Sequence, residues 1–139
     1  MKRISKHQII WGGNYFDLPP TKCWIVWDKE QRDFSLADGE MAWASFDKAM
    51  RIFELSRGAA NTETKIHPTQ KPIRLYEWIL SKFAKKGQRV FDSHLGSASS
   101  AIAAHYFGVD FVGCELDKDY FEAAKARFDI ATKQLAMSI

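Results

Sequence analysis

The stretch 90–115 constrains the fold of this chain more than any other, because strand and helix patterns alternate there around a turn of small residues. A short apolar run ends in Asp92, and residues 93–100 predict a turn that leads into a helix closed by Gly108. A second apolar run ends in Glu115. Because neighbouring parallel strands end at one edge of an α/β sheet, where ligands bind, we expect the two carboxylates to lie close together there.

Two interpretations of these carboxylates stay open from the residues alone. A carboxylate at a strand end accepts hydrogen bonds from both hydroxyls of a ribose, or from the ammonium group of an amino acid. Asp92 and Glu115 can equally cap helices in a plain βαβ unit. The turn matches the dinucleotide-binding fingerprint only in part, since Gly96 is its one glycine and the Cβ of Ala98 can crowd a ligand.

The whole pattern predicts a three-layer α/β fold with a mostly parallel sheet, in which the strands at Val90 and Phe111 are adjacent. Residues 58–64 lack both periodicity and bulky side chains, so we expect a mobile loop there. Four further apolar runs predict strands upstream: 7–11, 23–27, 41–46 and 51–55.

Two helices flank the central stretch. Pro72 is expected to open the first, which stops before Gly87, and Asp117 is expected to cap the second. The residues predicted to face inward are Leu75, Tyr76, Ile79, Leu80 and Phe83 on the first helix, and Tyr120, Phe121, Ala124 and Phe128 on the second.

The composition is typical of a soluble globular protein, with 46% hydrophobic and 27% charged residues in a chain of 139, the size of one domain. No apolar run is long enough to span a membrane, and the amino terminus lacks the apolar stretch of a signal peptide. We therefore expect a cytoplasmic protein with no membrane partner. The net charge of +3 permits nucleic-acid binding without demanding it, and the 14% aromatic content fits either base stacking or a well-filled core.

Other reactive residue types give weaker signals. Cys23 and Cys114 are far apart in sequence, and we expect both to be reduced core residues. The four histidines have no metal-ligand spacing with each other or with the cysteines, so we predict no metal site. Asn14 and Tyr15, beside a glycine pair, fit either the mouth of an active site or a plain turn.

A second motif identifies a family resemblance. His67-Pro-Thr-Gln-Lys-Pro72 opens a predicted helix shortly before the turn that carries Asp92, Gly96 and Ser97. This order resembles the adenine-N6 and cytosine-N4 DNA methyltransferases of the circularly permuted (beta) class, in which the catalytic half precedes the cofactor half. Residues 66–129 resemble their cofactor half, and residues 1–57 resemble the strands that follow their catalytic motif.

The resemblance implies a Rossmann-like methyltransferase fold, S-adenosylmethionine as cofactor and DNA as substrate. In such a site the glycine turn wraps the methionine part, Glu115 binds the ribose hydroxyls, and Thr69 and Lys71 help to hold the methionine carboxylate. His94, inside the turn, fits either a ligand contact or an exposed turn residue. The cofactor-binding residues implied in this way are Thr69, Lys71, Asp92, Ser93, His94, Gly96, Ser97 and Glu115.

One part of the family pattern is missing. The Asp-Pro-Pro-Tyr type tetrapeptide, which holds the target amino group, does not occur in the sequence, and Asp17-Leu-Pro-Pro-Thr21 has the wrong order. The resemblance thus implies a single partial domain, 1–139, that lacks a central strand and has no catalytic residues of its own. We expect a truncated or partner-completed enzyme, and as partner either further copies in a homo-oligomer or a complementing chain. The alternative is an inactive remnant or a nucleic-acid or cofactor-binding module.

Overall fold

The computed structural model describes residues 3–137, with side chains described from 3 to 133. The chain divides into two compact units, Met1–Ala60 and Asn61–Ile139. Among the described residues, no helix has the length and apolar character that crossing a membrane requires.

The first unit contains a four-stranded mixed sheet. Its strands are β1 (Ile9–Trp11), β2 (Trp24–Asp28), β3 (Gly39–Ala44) and β4 (Arg51–Glu54), in the order β1-β3-β2-β4. β3 runs antiparallel to both β1 and β2, whereas β4 runs parallel to β2. All four strands were predicted to within a few residues, but the prediction of a mostly parallel sheet is wrong. β2 and β3 are joined by a ten-residue polar connection without a helix, whereas parallel neighbours need a longer crossover.

The core of this unit lies against β2 and β3. Ile25 and Trp27 alternate with half-buried neighbours along β2, the period-2 pattern of a strand. The indole N–H of Trp27 donates a hydrogen bond of 2.9 Å to the carbonyl of Leu55, so this buried polar group is satisfied. Cys23 is fully buried, as predicted, and its burial raises the pKa of its thiol. A short helix, α1 (Arg57–Ala60), ends the unit.

The second unit is a βαβ arrangement between two further helices. Its elements are α2 (Ile73–Phe83), β5 (Arg89–Asp92), α3 (Ser99–Phe107), β6 (Asp110–Gly113) and α4 (Lys118–Met137). β5 and β6 pair in parallel, with Val90 opposite Phe111, so the predicted adjacency of these two strands is confirmed. Gly108, with φ 93°, ends α3 as predicted, and the Asp117 carboxylate accepts the Tyr120 N–H at 3.0 Å at the start of α4.

Helices pack against one face of this two-stranded sheet. One cluster joins Leu80 of α2 to Ala103 and Ala104 of α3, and Val90 and Phe111 pack against it. A second cluster joins α3 and α4, and Phe111 packs against that one as well. The small residues of α3 allow this close approach, because all six residues from 99 to 104 are buried and five of them are serine or alanine.

The opposite face of β5 and β6 is exposed. Phe91 and Val112 lie on that face with 41% and 47% of their surface accessible. Within the described part of this unit, the helices form one layer and the β5–β6 pair forms another.

Two local predictions are wrong. Phe121 was expected to face inward but is exposed, and Cys114 was expected in the core but is exposed and carries a free thiol. The burial of each side chain depends on residues distant in sequence. The predicted loop 58–64 overlaps α1 in its first three residues, whereas 61–64 lie outside the helix, and Glu63 is half-buried and hydrogen-bonded.

Candidate functional site

All eight residues of the predicted site lie in the second unit. The turn after β5 runs beside the end of β6, because the N–H of Leu95 donates to the carbonyl of Cys114 at 2.8 Å. The N–H of Cys114 in turn donates to the carbonyl of Asp92 at 2.9 Å. These two backbone bonds extend the strand pairing and bring the carboxyl ends of both strands together, which is the arrangement that the sequence predicted.

The Asp92 carboxylate fixes both ends of the turn. Its Oδ1 accepts the N–H of His94 at 3.0 Å, and its Oδ2 accepts the hydroxyl of Ser100 at 2.6 Å. Ser100 lies in the first turn of α3 and is buried. Asp92 therefore joins the end of β5 to the start of the helix.

Glu115 holds the middle of the turn. Its Oε2 accepts the N–H of Gly96 at 2.8 Å, and its Oε1 accepts the N–H of Asp117 at 3.3 Å, a long bond. A carboxylate offers about four lone-pair sites. Oε1 thus retains the capacity to accept hydrogen bonds from a hydroxyl-bearing ligand.

The backbone at the start of α3 is left-handed at Gly96 and again at Ala98, with φ of 57° and 68°. Ala98 is 1% exposed and packs with Ala101 and Ala124. Its Cβ therefore lies in the core of the unit, which answers the concern that it would crowd a ligand. The cost of having alanine rather than glycine at position 98 is conformational, because a left-handed backbone strains alanine but not glycine.

The His67 to Pro72 motif lies against the glycine turn. A Cβ built on Gly96 would lie 4.0 Å from the His67 ring, an ordinary van der Waals distance, so the ring and the turn are neighbours. The N–H of Thr69 donates to Nδ1 of His67 at 3.2 Å, and the rings of His67 and Tyr120 lie 4.4 Å apart. The structure thus brings the Thr69 segment and the Gly96 turn together. Lys71, in the same segment, is half-buried.

The other turn residues differ in burial. His94 is exposed, and its Nδ1 lies 2.8 Å from the hydroxyl of Ser93. Ser97 is buried, and its hydroxyl lies 3.0 Å from that of Ser99. Of these residues, the half-buried Ser93 and the exposed His94 are accessible to a ligand, whereas the Ser97 side chain serves the interior of the turn.

Two residues of this region were missed by the sequence analysis. Arg127 of α4 donates from one guanidinium nitrogen to the Ser97 carbonyl at 2.9 Å and the Ser99 hydroxyl at 2.8 Å. Its other terminal nitrogen donates to Glu63 at 2.9 Å. Burial lowers the pKa of Arg127, and the neighbouring Glu63 carboxylate opposes that shift. An arginine among the inward-facing positions of the final helix was the available signal.

The arrangement of these described residues is suited to binding a polar ligand. It combines two carboxylates, several hydroxyls and a backbone turn without a Cβ at Gly96. Asp92 and Glu115 do bind groups of the turn and of α3, as the helix-capping interpretation requires. Each carboxylate accepts two hydrogen bonds from the protein and has about four lone-pair sites, so helix capping and ligand binding are compatible.

The first unit has a separate cavity of about 470 Å³. Asn14, Phe16, Trp24 and Trp43 contribute to its lining, and the Trp43 indole N–H donates to the Pro19 carbonyl at 2.7 Å. Asn14 follows the left-handed Gly12 in a 3-10 turn, so the glycine pair does form the predicted turn.

A family model described as DNA methylase, covering N6 and N4 methyltransferases, matches residues 5–126. Among individual relatives, the type II methyltransferase M2.DpnII of Streptococcus pneumoniae is 35% identical over 63 residues, which are 45% of this chain. The type II methyltransferase M.HpaI of Haemophilus parainfluenzae is 35% identical over 69 residues, which are 50% of this chain. The matched segments span only 24% and 22% of these relatives' own lengths.

Solved structures show the same fold. The M1.HpyAVI-SAM complex is 28% identical with a TM-score of 0.58, over 76% of this chain and 59% of that protein. The cytosine-N4-specific PvuII DNA methyltransferase has the same TM-score at 15% identity, over 81% of this chain and 55% of that protein. At that identity the second likeness supports the fold alone.

Proposed function

This chain belongs to the DNA methylase family of N6 and N4 methyltransferases, and we propose that it takes part in methyl transfer from S-adenosylmethionine to an amino group of a DNA base. The proposal is supported by relatives that are named type II methyltransferases and by a structural relative that is an S-adenosylmethionine complex. We assign cofactor binding to the second unit, and we place the catalytic half before the cofactor half, as in the permuted class.

The observation that carries the cofactor assignment is the position of Glu115. One of its oxygens orients the glycine turn through the Gly96 N–H, and the other has only a long bond to Asp117. A ribose presents two hydroxyls, and a carboxylate such as Glu115 can accept a hydrogen bond from each. The amino-acid end of the cofactor carries an ammonium group and a carboxylate. Asp92 suits the ammonium by charge, and the Thr69 hydroxyl and Lys71 ammonium suit the carboxylate.

When bound, the cofactor supplies a methyl group on a positively charged sulfur. The residues of this chain would bind and orient it and hold the turn closed against it. Ser93, His94, Gly96 and Ser97 complete the proposed contact set through the turn itself. We propose adenine N6 as the target, because residues 9–16 and 24–29 resemble strands of adenine methylases, with cytosine N4 as the alternative.

A second candidate function rests on one sequence observation. The 139 residues contain no Asp-Pro-Pro-Tyr tetrapeptide, the group that presents the target amine. An exocyclic amine is a poor nucleophile until its hydrogens are held and its lone pair is aimed. These residues then act either as a cofactor-binding module without transfer, or as one part of an enzyme completed by a complementing chain.

Calorimetry with S-adenosylmethionine tests the cofactor assignment. We expect Glu115→Ala to weaken binding by about 1–3 kcal/mol, the loss typical of hydrogen bonds to a charged group. Glu122→Ala is the matched control, because Glu122 is an exposed glutamate on α4 of the same unit. Equal affinity of the Glu115 variant and the unchanged chain would remove Glu115 from the site.

A tritiated-methyl transfer assay on DNA separates the two candidate functions. We expect no transfer by the 139 residues alone, and transfer when a chain carrying the Asp-Pro-Pro-Tyr segment is added. Binding of the cofactor without transfer under both conditions would favour the module. Transfer by the 139 residues alone would show that another group replaces the tetrapeptide, and Asn14, Asp17 and Asp28 would be the residues to test.

A further inference from the structure

Arg127 connects α4 to the glycine turn from the interior of the second unit. Its side chain is 14% exposed, and its partner Glu63 is 21% exposed. Besides the two turn contacts at 2.9 and 2.8 Å, the same nitrogen lies 3.3 Å from the Ser97 hydroxyl. One guanidinium thus serves a backbone carbonyl, a hydroxyl and a carboxylate.

Glu63 extends the connection to the start of α2. Its Oε2 accepts from Arg127, and its Oε1 accepts the N–H of Ile73, the first residue of that helix, at 2.9 Å. A negative charge is stabilising at a helix N-terminus, where backbone N–H groups lack partners. The pair therefore links α4, the glycine turn and the segment that enters α2, which follows the His67 to Pro72 motif directly.

We propose that the Glu63–Arg127 pair is a positioning device for the cofactor-binding turn, an inference that rests on the proposed function. Ser97, whose carbonyl Arg127 binds, lies between the two left-handed residues Gly96 and Ala98. A left-handed alanine persists only where its surroundings fix it. The Ser97 carbonyl is part of the Ser97–Ala98 peptide group, so holding it constrains the left-handed Ala98 directly. Through the short turn it also constrains Gly96, whose N–H meets Glu115.

The shape of the guanidinium group explains why position 127 is an arginine. The guanidinium is planar and presents its donors in a fixed fork, so it can bind the turn with one nitrogen and Glu63 with the other. A lysine ammonium can pair with Glu63 but cannot hold the same spread of acceptors. Arg127→Lys therefore keeps the charge of the pair and removes the fork, which separates positioning from simple charge pairing.

The decisive measurement is amide hydrogen exchange on the whole chain, with Arg127→Lys compared with the unchanged protein. Hydrogen bonds to charged groups contribute about 1.5–3 kcal/mol, so we expect exchange of the Gly96 and Ala98 amides to accelerate by about tenfold or more. Exchange in the middle of α2 and in β5 should change little. Arg89→Lys is the matched control, because the Arg89–Asp110 pair lies in the same unit but is exposed.

Affinity for S-adenosylmethionine is the second measurement, and we expect it to fall about tenfold in Arg127→Lys and to stay constant in Arg89→Lys. Glu63→Gln removes the charge that orients the Arg127 guanidinium, so it should also accelerate exchange at Gly96 and Ala98, by less than Arg127→Lys does. Should Arg127→Lys fail to fold, Glu63→Gln still tests the device, because unchanged exchange at Gly96 and Ala98 in that variant would contradict it.

Uniform acceleration across the unit, or unchanged exchange at Gly96 and Ala98, would show that the pair only stabilises the fold and would overturn the proposal. The exchange result does not require cofactor. If the unchanged chain binds no S-adenosylmethionine, the proposed function fails, and the exchange data still decide whether Arg127 positions the turn.

Discussion

Replacing Ala98 by glycine tests the conformational strain at the start of α3. Ala98 has φ 68° and ψ 17° and is 1% exposed. A left-handed conformation costs a residue with a Cβ about 1–2 kcal/mol, which glycine would recover. Two costs oppose this gain. The substitution removes a buried methyl group worth about 0.8 kcal/mol, and glycine raises the conformational entropy of the unfolded chain, which costs about 0.4–1 kcal/mol more. Gain and losses nearly cancel, so we expect Ala98→Gly to change the free energy of unfolding by less than about 1 kcal/mol.

Ala103→Gly is the matched comparison. Ala103 is fully buried in the middle of α3, so the change removes a similar methyl group without relieving any left-handed strain. Glycine in a helix interior costs about 1 kcal/mol relative to alanine, and the lost burial adds about 0.8 kcal/mol. We therefore expect this variant to be destabilised by roughly 2 kcal/mol, far more than Ala98→Gly.

Urea unfolding followed by far-ultraviolet circular dichroism is the appropriate assay, because α2, α3 and α4 all belong to the second unit. The midpoints should separate while the slopes stay equal, which would show that only stability has changed. A loss of stability in Ala98→Gly as large as that in Ala103→Gly would refute the reasoning, since it would mean that no strain is released at position 98.

Three further predictions follow from other contacts. The Arg32 guanidinium and the Glu30 N–H lower the pKa of Asp28 from 3.8 to about 2. The ionised Asp28 carboxylate should therefore stabilise the folded state above about pH 4, and this stabilisation should be lost as the pH falls through 2. An NMR titration of Arg32→Ala should show the pKa of Asp28 returning towards 3.8. Gly13→Ala should destabilise the first unit by about 1–3 kcal/mol in thermal unfolding, because the new Cβ would lie 2.5 Å from that of Trp43, whereas Gly58→Ala, with open space around it, should be neutral or slightly stabilising. Light scattering should show a dimer or larger assembly of the 139 residues, because no strand in the described part of the chain pairs with the outer edges of β5–β6 and the apolar face of this pair is exposed. A well-folded monomer would contradict this.

Much of the second unit could be predicted because its signals are local. The apolar face of α2 follows a period of 3.6 residues, and the structure buries Leu75, Ile79 and Leu80 as that period predicts. Gly108 ends α3 and Asp117 caps α4 for reasons contained within one turn of helix. The meeting of the two strand ends was also predictable, because a short βαβ connection leaves few alternatives for two neighbouring strands.

The sheet of the first unit shows where local pattern stops being informative. Its four strands were recognised from their apolar runs, but a run does not specify its partner or its direction. Ile25 pairs with Ala42 in antiparallel and with Arg51 in parallel. Whether two strands run parallel or antiparallel depends on how the chain connects them in three dimensions. No local sequence signal could therefore have corrected the prediction of a mostly parallel sheet.

The amino-acid order thus specified the elements, the caps and the chemistry of the glycine turn, since these depend on residues a few positions apart. Tertiary packing decided the rest. Arg127 meets Glu63 across 64 positions of sequence, and Ala98 adopts a left-handed backbone because its neighbours in space hold it there. Local pattern does not identify the partners in either case, because a buried charge or a strained alanine is tolerated only when groups distant in sequence compensate for its cost.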